Sequence, residues 1–147
     1  MNEGSSFQPV LADEIARSSS DKVTRVILCS GKHYYTLKQH VDAQEGLSEK
    51  VAIIRVEELA PFPFSKLEET LRPYAQVSDF VWSQEEPYQQ GAFTHVRERI
   101  DDVLQSAGIQ ARIRYSGRAP CPTVATAVGD WHKLEVAQIT KEPFKGL

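Results

Sequence analysis

The sequence is short of the residues that build covalent and metallic staples. Across 147 residues it has two cysteines, Cys29 and Cys121, in no CxxC arrangement, and four histidines, His33, His40, His95 and His132, in no HxxxH spacing. A disulfide framework and a structural zinc site are therefore not expected; the reading is two reduced thiols and no bound metal. No apolar run approaches the roughly 18 residues that a membrane-spanning helix needs. The opening Met1 to Ser6 has neither the apolar core of a secretory signal nor the arginine-rich amphipathic character of a transit peptide. Charge of one sign is scarce too: the net charge is -3, with no basic patch or like-charge tail, which argues against nucleic acid and membrane surfaces as partners. GxSxG, GxGxxG and GxxxxGK[ST] are all missing, so a nucleophile elbow, a dinucleotide fingerprint and a phosphate loop are excluded.

What is present is a composition of 41% hydrophobic and 25% charged residues, the mix of one globular domain. Residues 1–20 read as a linker with an edge strand at Phe7 to Leu11, and residues 21–147 as the domain. Val23 to Cys29 is a β-branched run stopped by Ser30-Gly31, the best central strand. A helix is expected over Lys32 to Gln44, a strand over Val51 to Val56, and a helix from Lys66 to about Tyr74 with Ser65 as its cap and Glu68 completing a capping box. A strand over Asp79 to Ser83, a helix over Gly91 to Ala107, a strand over Ala111 to Tyr115 and a last helix over Trp131 to Thr140 complete the series. Strands alternating with helices imply right-handed βαβ units and a mostly parallel sheet with helices on both faces, a three-layer αβα sandwich.

Two polar turns mark where a ligand would collect. Ser30-Gly31-Lys32 follows the central strand and Gln84-Glu85-Glu86-Pro87 follows the third. If the second and third strands lie on opposite sides of the first, both turns line the crevice at the switch point of the sheet. Lys32 and the backbone N–H groups beside it suit an anion. Arg55 and Arg118 could add positive charge to the same rim, or an ion-pair network could tie these loops together. Glu85 and Glu86 are adjacent on an extended segment, so their side chains diverge and no acid–base dyad is expected.

Four blocks then carry a family resemblance: CSGKHYY at Cys29 to Tyr35, VAIIRVEELAPFPF at Val51 to Phe64, DFVWSQEEPYQQGAF at Asp79 to Phe93 and IRYSGRAP at Ile113 to Pro120, preceded by FQPVLADE at Phe7 to Glu14. In this order they resemble the C-terminal domain of the thiamine-diphosphate-dependent 2-oxoglutarate dehydrogenase component. The KHYY and WSQEEP wording is similar to the 2-oxoadipate branch of that family.

The resemblance implies a transketolase C-terminal-like fold, a five-stranded mixed sheet whose first strand is antiparallel. It also implies a parent enzyme that decarboxylates a 2-oxo acid on thiamine diphosphate with magnesium and passes the acyl group to a lipoyl acyltransferase. The parent would be a homodimer, in the mitochondrial matrix of a eukaryote or the cytoplasm of a bacterium. Its diphosphate is held by earlier domains through a GDG motif; here Gly129-Asp130-Trp131 stands without one, so this chain is expected to be a non-catalytic piece of a longer polypeptide that binds no cofactor itself. Carried onto this sequence, the family's effector site for a nucleotide such as AMP, or for acetyl-CoA, falls on Ser30, Lys32, Arg55, Gln84, Glu85, Ser116 and Arg118. Lys32, Arg55 and Arg118 would meet phosphate, and Gln84 and Glu85 would orient ribose or adenine. The alternative is a stand-alone nucleotide- or CoA-binding or protein-interaction module without catalysis.

Overall fold

A computed structural model describes residues 6–120 and 136–147. Strands β1 (Val10–Leu11), β2 (Arg25–Cys29), β3 (Val51–Val56), β4 (Asp79–Pro87) and β5 (Ile113–Arg118) form one sheet in the order β1-β3-β2-β4-β5. β1 pairs antiparallel with β3, and every other pairing is parallel. The expected central strand and three-layer architecture are present; the edge strand expected over Phe7 to Leu11 is confined to Val10–Leu11, the segment read as linker contains a short helix, α1 (Glu14–Ser18), and another, α3 (Leu47–Lys50), leads into β3.

Burial on both faces explains why β2 and β3 read as near-continuous apolar runs. Side chains alternate along a strand. Val26, Leu28, Ala52, Ile54, Phe80 and Trp82 therefore enter one core with Leu67 and Leu71 of α4 (Phe64–Leu71) and with Val96, Ile100 and Leu104 of α5 (Phe93–Ser106). Ile27, Cys29, Val51, Ile53 and Val81 enter the other with Leu37 and Val41 of α2 (His33–Asp42) and with Phe144. Burying each large apolar side chain contributes roughly 1.5–3 kcal/mol before entropy is charged against it.

Chain direction dictates which helix covers which face. From β2 the chain crosses to β3 on one side, then returns past β2 to β4 on the other. Right-handed crossovers in opposite directions place their helices on opposite faces, and α2 and α4 indeed belong to different cores. The reversal falls between β2 and β4, which are neighbours in register from Arg25↔Asp79 to Leu28↔Trp82.

Three local expectations differ from the structure. The helix expected from Lys66 starts at Phe64 with Pro63 at its N-cap position and no side-chain cap, so Ser65 lies inside the first turn. Glu68 is bonded to Arg72 at 2.7 Å instead of closing a capping box. Gln84 to Pro87 is strand, not turn, and so is Ser116 to Arg118. These segments stay extended because β4 and β5 continue to pair past Ser83↔Ser116, through an irregularity, to Pro87↔Arg118. Pro87 offers no N–H to extend the ladder. Of the last expected helix, residues 136–141 are helical; Trp131, His132, Cys121 and most of the proline-rich stretch lie outside the described residues.

At the end of the sheet opposite the strand tips, Arg25 ties down the C-terminal segment. Its Nη1 donates to the carbonyls of Pro143 at 2.8 Å and Lys145 at 3.0 Å, while its Nε donates to Asp79 at 2.5 Å. Burial pushes the Asp79 carboxyl up, but hydrogen bonds from Arg114 and Arg25 outweigh it and hold the group below the usual carboxylate range. Arg25→Ala is expected to cost about 2–4 kcal/mol, because two tail carbonyls lose their donor and the partly buried Asp79 carboxylate keeps only Arg114. Hydrogen exchange should then accelerate at Lys145 and Leu147 while β3 stays protected. Unchanged tail protection in the variant would contradict the assignment.

Candidate functional site

The tips of β2 and β4 enclose a cavity of about 480 Å³, in the range of small-molecule sites. Its wall runs from Ser30, Gly31, Lys32 and His33 across Leu59 and Trp82 to Gln84, Glu85, Glu86 and the Gln90-Gly91-Ala92 turn. The two polar segments singled out from sequence do face one another. Four of the seven predicted residues, Ser30, Lys32, Gln84 and Glu85, line this cavity, whereas Arg55, Ser116 and Arg118 are not part of its wall. Ser116 is buried within β5 with its hydroxyl unpartnered. Arg118 ends β5, one strand farther out, where its carbonyl accepts the Tyr115 hydroxyl at 2.7 Å.

Gln84 is committed inward. Its Oε1 accepts from the Trp82 indole at 2.9 Å and from the Phe93 backbone N–H at 3.0 Å; its Nε2 donates to the carbonyls of Glu86 at 3.3 Å and Pro87 at 3.1 Å. A carboxamide has two donors and two acceptor lone pairs, so this one is saturated. α5 has no side-chain cap of its own; Gln84 supplies it from β4, satisfying one of the orphan N–H groups of a helix start. The residue shapes the cavity floor and does not offer its amide to a ribose. A Cβ at Gly91 would fall within 2.6 Å of Gln84 Oε1, and one at Gly117 within 2.8 Å of the Gln84 carbonyl. Both glycines are dictated by space.

Sequence reasoning missed two residues held by specific partners at this end of the sheet. Glu57 sits between the tips of β3 and β2: its Oε1 accepts from Arg55 Nε at 2.9 Å and from the Gly31 N–H at 3.2 Å. The Arg55 guanidinium lies over the rings of Tyr34 and Tyr35, with its carbon 4.9 and 5.5 Å from the centroids. Of the two readings open for Arg55, the structure displays the ion pair. The signal was available, since residues two apart on an extended strand share a face. Gly31 itself takes φ +64°, which frees its N–H to point at this carboxylate.

His33 is the second. It is 3% exposed, its Nε2 lies 2.8 Å from Ser83 Oγ, and its Nδ1 is buried without a partner. Burial lowers its pKa, opposed by the charges of Glu85 and Glu86. No acid orients the second ring nitrogen and Ser83 is itself buried, so the pair lacks the third member and the access of a nucleophilic triad. Cys29 is no nucleophile either: burial pushes its thiol up to about 12, against a lowering by Arg55 and with reinforcement from Glu57. What remains is a crevice whose charged wall is one lysine, Lys32, against Glu85 and Glu86.

The architecture is a transketolase-type α/β fold. A split gene transketolase, described as an inactive beta4 tetramer, superposes with a TM-score of 0.62 at 16% identity, covering 100% of this chain and 44% of its own. The chain belongs to the 2-oxoglutarate dehydrogenase C-terminal family, whose model matches residues 1–144. A probable 2-oxoadipate dehydrogenase complex component E1 homolog of Caenorhabditis elegans is 40% identical over 141 residues, 96% of this chain and 15% of that protein. The human 2-oxoadipate dehydrogenase complex component E1 is 36% identical over 146 residues, 98% of this chain and 15% of its own. The 2-oxoglutarate dehydrogenase E1 component of Rickettsia felis is 35% identical over 142 residues, 97% and 14%. The chain thus spans about 15% of the length of these relatives. That relation supports a domain of a larger enzyme and gives no support to a stand-alone module.

The buried imidazole gives a pH signature. A folded pKa below the ordinary 6.5 means that the unfolded chain takes up a proton the folded chain refuses. The contribution of His33 is complete above pH 6.5 and declines as pH falls through the depressed folded value. As pH falls below 6.5 the melting temperature of the parent should therefore drop more steeply than that of His33→Gln. Parallel profiles would refute the assignment.

Proposed function

We propose that this chain is the C-terminal domain of a thiamine-diphosphate-dependent 2-oxo acid dehydrogenase component acting on 2-oxoglutarate or 2-oxoadipate. The parent decarboxylates its substrate on thiamine diphosphate and magnesium and transfers the acyl group to the lipoyl acyltransferase of its complex. The observation that carries this reading is the match of residues 1–144 to the family. In that reading the domain packs against the remaining domains of the parent and contributes to a homodimer, placed in the mitochondrial matrix of a eukaryote or the cytoplasm of a bacterium. No helix among the described residues is long and apolar enough to cross a membrane.

Among the described residues no group of three or more His, Cys, Asp or Glu side chains could hold a metal ion. The cavity wall balances one ammonium against two carboxylates. These residues do not fit a magnesium diphosphate, and chemistry on thiamine diphosphate belongs to other parts of the parent. What the crevice suits is an effector with a compact anionic end and hydrogen-bonding groups elsewhere, such as AMP or acetyl-CoA. In this reading Lys32 and Ser30 on its β2 side meet the anionic end, with Arg55 at the tip of β3 and Arg118 at the tip of β5 beyond the wall, and Glu85 accepts from a ribose hydroxyl or an adenine amino group. Gln84 and Ser116 serve as buried framework.

A ligand that binds only the folded chain raises its stability by about 2.7 kcal/mol at a hundred times its dissociation constant. Thermal melts with millimolar AMP or acetyl-CoA should therefore shift upward by several degrees, and less in Lys32→Ala, which removes the cation of the cavity wall. The absence of any shift with both ligands rejects the effector site.

A further inference from the structure

A second concave surface lies at the edge of the sheet. β5 ends the strand order, so among the described residues it has a strand neighbour, β4, on one side alone. A strand in that place carries backbone N–H and C=O groups with no ladder partner. Its first N–H, that of Ile113, is answered by Asp101 Oδ1 of α5 at 2.8 Å. Beside the strand lies a hollow of about 380 Å³ with Tyr88, Phe93 and Tyr115 on its wall. The three rings touch pairwise, their centroids 5.1 to 5.2 Å apart, which makes the slot preformed. A larger hollow of about 690 Å³ follows α5 and shares Arg97, Asp101 and Arg112 with the first. Together they make one groove along the edge strand, and no residue of it lines the crevice at the strand tips.

The charges of the groove select its occupant. Arg114 is committed to Asp79 at 2.8 Å. Arg97 and Arg112 are exposed and, among the described residues, take part in no ion pair. Edge strands are commonly guarded by charge against pairing with the wrong chain. A guard of one sign repels basic segments and admits acidic ones. Glu98 and Asp102 line the larger hollow alone; they interrupt the positive field and disfavour a uniform polyanion such as nucleic acid.

We propose that the outer edge of β5 receives an extended acidic segment of another polypeptide as an added strand. The backbone of the segment pairs with the edge, alternate apolar side chains enter the slot of Tyr88, Phe93 and Tyr115, and its carboxylates meet Arg97 and Arg112. The inference goes beyond the effector reading of the crevice, and neither depends on the other.

The probe is a fluorescent peptide of about six residues alternating glutamate and valine, titrated by anisotropy against the full 147-residue chain. It should bind, and its lysine–valine counterpart should bind at least about tenfold more weakly. Arg97→Glu combined with Arg112→Glu should weaken the glutamate peptide by about tenfold or more; both side chains are exposed, so the fold is kept. Methylating every second backbone nitrogen of the peptide, in each of the two registers, separates strand addition from simple charge attraction. One register should lose binding and the other keep it, because only alternate N–H groups face the edge. Binding that is indifferent to methylation in both registers, or to reversal of the two arginines, overturns the inference, and so does a glutamate–valine peptide that does not bind.

Discussion

The carboxamide of Gln84 is the constraint on which the crevice end of this domain depends. One side chain, 5% exposed, holds the Trp82 indole, the first N–H of α5 and the carbonyls of Glu86 and Pro87. Through Trp82 it fixes the core-facing side of β4. Through Phe93 it fixes where α5 begins, and through the two carbonyls it fixes the path of the chain after the strand irregularity. Leaving any of these buried groups without its partner costs about 1–3 kcal/mol, more than the net worth of the bond itself. The cavity beside β4 is thus a consequence of saturated polar packing. Rigidity of this kind suits a site that selects its occupant by shape and charge.

At the β2 side the same end of the sheet is organised by charge. Arg55, Glu57 and the Gly31 N–H form a closed set, while Lys32, Glu85 and Glu86 face the cavity. The opposite end of the sheet is latched by Arg25 to the tail. The crevice and the anchor of the tail therefore occupy opposite ends of the same strands.

Much of this was legible in the sequence, for identifiable reasons. β2 and β3 announce themselves because strands buried on two faces are apolar throughout, and α5 because Phe93, Val96, Ile100, Val103 and Leu104 repeat at helical spacing. The switch point followed from strand–helix alternation, and with it the pairing of Ser30-Gly31-Lys32 with Gln84-Glu85 across one cavity. The extensions of β4 and β5 were hidden because residues such as Gln-Glu-Glu-Pro and Ser-Gly-Arg carry turn chemistry, and only pairing between the two strands keeps them extended. Arg25 reads as an ordinary charge in a strand; its buried role depends on residues 118 and 120 positions away. Gln84 looked like a ligand-binding amide because its partners at Phe93 and Trp82 come together only in the folded chain.

A double-mutant cycle on Gln84 and Gly91 tests the account most directly. The Cβ of Gly91→Ala collides with the Gln84 amide, which cannot swing aside without breaking its four hydrogen bonds. Gly91→Ala should therefore cost about 1–3 kcal/mol in the parent, and clearly less once Gln84→Ala has emptied the space. A coupling energy of at least about 1 kcal/mol in urea melts agrees with Gln84 as the fixed centre of this end of the domain. Additive costs would contradict it.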